Sequence, residues 1–227
     1  MNKLFNNFKN VNLNEWKKKI DQDSNENSHY KKLIKNVEGI RIEPIYNSES
    51  KSKKYHVKFP NNWISFQYID ATNAKLANKK ALEALKNDID GLCFSNPNSL
   101  NTLLNNISIK HIKIKFINYD SDFISNWENY QKKNKLDIDA ILNCNSIDVR
   151  GHTVKEQITF AIKNGRKQEK VKYFNFKIES NFFLEIAKIK AFRIIWKSIT
   201  NIDPFIFCES SFKYIESESE YNNILRS

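Results

Sequence analysis

From Trp63 onward the chain alternates strand-like and helix-like segments, and this alternation restricts the fold more than any other feature of the 227-residue sequence. Short runs rich in β-branched and aromatic residues lie at 63–69, 91–95, 112–118, 138–143, 171–178 and 205–208. Between them, segments 73–87, 98–106, 122–134, 153–168 and 182–199 carry apolar residues at the three-to-four spacing of a helix. Parallel strands need a crossover between them, and a helix is the usual one. The expected class is therefore α/β, built from right-handed strand–helix–strand units around a parallel sheet. Six such units fit an open doubly wound sheet or an incomplete (β/α)8 barrel, and pattern alone leaves both open.

Several chemistries are argued against by what the sequence lacks. With only four glycines, no glycine-rich phosphate loop of the dinucleotide-binding or P-loop kind follows a strand. The formal charge of +11 invites a polyanionic partner, but the lysines are scattered over separate segments, which reads as a solvated surface and argues against nucleic acid. A basic nucleic-acid-binding or other interaction protein with an open α/β sheet is the alternative. No run reaches the length of a membrane span and no signal-peptide core opens the chain, so the expectation is a cytoplasmic protein without a membrane partner. Cys93, Cys144 and Cys208 are odd in number and far apart, so reduced, buried thiols are expected rather than disulfides or zinc ligands.

The first sixty residues read differently. A helix with Trp16 and Ile20 on one face gives way to polar residues from Asp21 to Ser28, and an alternating segment follows from Arg41 to Tyr46. Too short for a core of its own, 1–60 is expected to be a helical and extended arm, and 61–227 the α/β body. Within that body the run SNFFLEIAKIKAFRIIW, from Ser180 to Trp196, is expected to be a helix with an apolar stripe of Phe183, Ile186, Ala187, Ala191, Ile194 and Ile195. Asn181 or Ser180 caps it, and Glu185, Lys188 and Lys190 fall on other faces, Glu185 and Lys188 as a structural ion pair at i,i+3.

That run resembles the GSNFFxEIAKxRAxRxLW helix of the methylmalonyl-CoA mutase family, matched here by Asn181, Phe182, Phe183, Glu185, Lys188, Arg193 and Trp196. Further stretches fall in the family's order. LFNNFKNVNLNEWKKKI is similar to the opening of the family's small, or β, subunit, and Val37-Glu38-Gly39-Ile40 with Pro44 and Tyr46, and WISFQYIDATNAKLANKKALEAL, resemble the family. The tail resembles the ETSxxnxTxxDpYxNmLRtT segment through Asn223, Leu225 and Arg226.

The resemblance implies an N-terminal arm followed by the first six units of a TIM-type barrel, incomplete and therefore truncated, split or degenerate. It also implies adenosylcobalamin-dependent isomerisation of methylmalonyl-CoA and succinyl-CoA, with the cofactor held by a large catalytic subunit. The family's cobalt-ligating D-x-H-x-x-G motif is absent around His29, His56, His111 and His152, and its RGPYxTMY and RQYAGF substrate segments are absent too. The resemblance thus implies a noncatalytic small subunit that binds no cofactor alone and forms a heterodimer with the large subunit. A stand-alone enzyme of another acyl-CoA mutase type is the competing enzyme reading. His152 could be offered as a general acid, but a polar residue at a helix start is its expected role.

Overall fold

The structure is a computed structural model that describes residues 11–24, 29–46, 63–168 and 171–210. The chain divides into two compact units, Met1–His56 and Val57–Ser227.

In the first unit, helix α1 (Leu13–Asp23) is opened by a capping box in which Asn12 accepts from the Glu15 amide and Glu15 reaches back to the Asn12 amide. A short helix α2 (His29–Leu33) follows, and then strands β1 (Lys35–Val37) and β2 (Ile40–Ile42) pair antiparallel. Glu38 and Gly39 both have positive φ (52° and 74°), the conformation that a two-residue hairpin turn requires. Tyr30 is the buried hydrophobic residue of the described part. Its ring meets Trp16 edge-on at 6.0 Å, and its hydroxyl donates to Glu43 at 2.8 Å. The β1–β2 hairpin is not legible in the polar spacing of the sequence.

Among its described residues the second unit carries six parallel strands: β3 (Phe66–Asp70), β4 (Gly91–Ser95), β5 (Lys113–Ile117), β6 (Ser146–Asp148), β7 (Tyr173–Ile178) and β8 (Phe205–Ser210). They form two three-stranded sheets, β3-β4-β5 and β6-β7-β8, each in sequence order. A single parallel bridge, Lys115 to Ile141, links β5 to the chain that leads into β6. The crossovers contain helices α3 (Ala74–Lys86), α4 (Leu100–Leu103), α5 (Phe123–Asn134), α6 (Val154–Lys167) and α7 (Phe182–Thr200).

The α/β class and parallel pairing stand as expected. No closed barrel is formed among the described residues, because β3 and β8 share no backbone pairing.

Each helix covers its sheet through a face its sequence provides. Buried Ala74, Ala77 and Ala81 give α3 a small-residue face that lies close to the strands, and Asn73 caps its start. In α6 a Thr153–Glu156 capping box starts the helix, and buried Gly165 ends the packed face. A Cβ on Gly165 would sit 2.8 Å from the Trp196 ring and 2.9 Å from Phe174, so glycine is required for this contact. One core lies between β3-β4-β5 and helices α3 to α5, centred on Leu92, Phe94, Ile114, Phe116 and Trp127. The other lies under α6 and α7, where Phe174, Phe176, Phe192 and Trp196 interlock with ring centroids 4.7–6.1 Å apart.

Three expectations need correction. The strand expected at 138–143 is not formed, and the ladder strand comes later, at Ser146–Asp148. The Asn145 side chain accepts from the Leu142 amide at 2.8 Å and donates to the Ala140 carbonyl at 2.9 Å, turning the chain and removing groups a ladder would use. The apolar stripe expected on α7 is largely the wrong face. Its buried residues are Glu185, Lys188, Phe192 and Trp196, while Phe182, Phe183 and Ile186 are 68%, 82% and 42% exposed. Finally, all three cysteines are free but only Cys93 is buried; Cys144 lies in a turn and Cys208 on the outer side of β8.

Candidate functional site

Side chains alternate across a strand, so the residues not facing the helices share the opposite face. Register aligns them in rows: Phe66, Gly91 and Lys113, then Tyr68, Cys93 and Lys115, then Asp70, Ser95 and Ile117 in the first sheet. In the second sheet Ser146, Tyr173 and Phe205 form one row and Asp148, Asn175 and Phe207 the next, with Lys177 beside Glu209 beyond them. The two sheets curl toward one another, because Phe66 of β3 and Phe207 of β8 meet edge-on with centroids 5.0 Å apart. The opposite face is thus a furrow, and its middle is filled.

Lys115 is the centre of the filling. Only 5% exposed, its Nζ lies 3.6 Å from the centroid of the Phe207 ring and donates to Asn175 Oδ1 at 3.0 Å. Asn175 Nδ2 in turn donates to Asp148 Oδ1 at 2.7 Å, so one polar chain joins β5, β7 and β6 across the two sheets. Burial pushes the Lys115 ammonium below its ordinary value, while Cys93, Asp148 and Glu209 oppose that shift. A desolvated cation on an aromatic face contributes about 2 kcal/mol and a hydrogen bond to a charged group about 1.5–3 kcal/mol, which offsets part of the cost of burying the ammonium. Burial also pushes the neighbouring Cys93 thiol up to about 11, against the pull of Lys115, so the thiol is protonated and unreactive at neutral pH. At Gly91 a Cβ would stand 2.7 Å from the Phe66 ring, so the missing side chain makes room for Phe66.

Polar groups at the C-terminal ends of β3, β4 and β5 are tied to one another. Asp70 accepts from the Thr72 hydroxyl at 2.6 Å and the Thr72 amide at 3.1 Å, which hold its carboxyl below the usual carboxylate range. Asn118 donates to Ser95 Oγ at 3.0 Å. Asn96 and Asn118, each just beyond its strand, have φ of 53°, so both loops turn away at once.

The family-motif residues lie elsewhere, along α7. Asn181 caps it, accepting from the Leu184 amide at 3.3 Å, whereas Phe182 and Phe183 project outward and pack edge-on against one another. Glu185 and Lys188 are buried together, with Nζ 2.5 Å from Glu185 Oε2, and Nζ also donates to the Lys177 carbonyl at 3.0 Å. That charge contact serves a carboxylate oxygen with no hydrogen-bond partner. Arg193 is half-buried, and Trp196 packs on Phe174 with centroids 4.7 Å apart. Asn223 and Arg226 lie outside the described residues. The structure therefore gathers Glu185, Lys188 and Trp196 on the packed face and leaves Phe182 and Phe183 on the other.

Sequence reading missed Lys115, Asn175 and Asp148. The signal was present in Lys113–Ile117, KIKFI, and Tyr173–Ile178, YFNFKI, whose alternation marks one polar and one apolar face.

Histidine ligation of cobalt needs an imidazole, and no histidine stands on the furrow face of the six described strands. Among the described residues no group of His, Cys, Asp and Glu is arranged to hold a metal, and no helix is long and apolar enough to cross a membrane. An acyl chain threaded between the sheets would have to displace Phe66, Phe207 and Lys115.

Comparison with known proteins gives the scaffold a relationship. Residues 153–226 match the family model of methylmalonyl-CoA mutase. The chain is also 25% identical to the methylmalonyl-CoA mutase small subunit of Porphyromonas gingivalis, over 87% of this chain and 45% of that protein. It thus spans about half the length of that relative. The resemblance read from the α7 helix and its flanking segments is what these comparisons show.

Proposed function

We propose that this chain is a noncatalytic, small-subunit-like component of an adenosylcobalamin-dependent methylmalonyl-CoA mutase, a structural partner of the large catalytic subunit in a heterodimer. The observation that carries the proposal is the filled furrow. A barrel that handles an acyl-CoA needs space along its inner face, and here Phe66 and Phe207 close that space while Lys115 is locked over an aromatic ring. The reading takes the six sequentially ordered strands as part of a TIM-type barrel, with 1–60 as the arm and 61–227 as the barrel segment.

Cofactor chemistry supplies the radical step in such isomerases, and the protein encloses and positions the substrate. A scaffold that does neither contributes by contact. The exposed flank of α7, with Phe182, Phe183 and Ile186, supports this, because a helix apolar on two sides is normally covered on both. We place the protein in the cytoplasm with acyl-CoA metabolism.

Co-expression with a large mutase subunit from the same organism tests the proposal. The expected result is co-purification and a higher melting temperature and specific activity of the large subunit. A large subunit that assembles, melts and turns over identically with and without this chain overturns it.

A further inference from the structure

We draw no further inference here: the strongest candidate, the exposed apolar patch of Phe182, Phe183 and Ile186 on the outer flank of α7, already belongs to the subunit contact proposed above, and nothing in the structure shows what else covers it.

Discussion

Cys93 and Lys115 are neighbours on the furrow face whose burial acts on stability with opposite signs. The unfolded Cys93 thiol ionises near its ordinary value of about 8.5, whereas the folded thiol keeps its proton up to about 11. Between these values the unfolded state binds fewer protons, so stability that is fully present below about pH 8.5 is lost as pH rises toward about 11. The loss is about 3 kcal/mol from this group. Lys115 has its folded value lowered, so the unfolded chain holds that proton longer and stability rises with pH as the buried ammonium is discharged. Cys93→Ala isolates the first effect. Urea unfolding from pH 7 to 11 should show wild type losing about 3 kcal/mol relative to the variant above pH 8.5, and a gap that stays constant with pH would contradict the burial of the thiol.

Helix α7 shows how charge can lie inside and hydrophobicity outside. Glu185→Leu leaves Lys188 buried without its counter-charge and should cost about 3–5 kcal/mol, whereas adding Lys188→Met should recover most of that loss. Thermal or urea unfolding of both variants checks this, and a double variant no more stable than the single one would show that the pair is not a mutually compensated unit. Ile186→Asp, on the exposed flank, should change the chain's own stability by no more than about 0.5 kcal/mol yet reduce association with the large subunit. Loss of folding rather than of association would mean that the flank is packed within the chain.

These elements also mark where sequence was readable. Five of the six strands and the long helices were legible because their periodicity reflects a two-sided environment. The stripe on α7 was misassigned because the helix is apolar on two faces, and a buried ion pair counts as polar until its partner is known. The fourth strand was misplaced because Ala140, Ile141 and Leu142 are as buried as a strand, while the Asn145 side chain takes up the backbone groups that pairing would need. The furrow network depends on register between β5, β6 and β7, which separates Lys115 and Asn175 by 60 residues in sequence and joins them at 3.0 Å in space.

At the scale of the second unit, strand order follows sequence order within both sheets, and side chains from its first and last described strands meet across the furrow. The furrow face is occupied by the chain's own side chains. Opening it should cost stability: Phe207→Ala removes a half-buried ring that touches Phe66 and Lys115, and should destabilise by about 2–4 kcal/mol in urea unfolding.

The most direct test of the structural-partner account is the stoichiometry of ligands in the complex with the large subunit. Equilibrium dialysis should find one adenosylcobalamin and one methylmalonyl-CoA per heterodimer and none on this chain alone. A second equivalent of either ligand in the complex, or micromolar binding of either by the isolated chain, would contradict it.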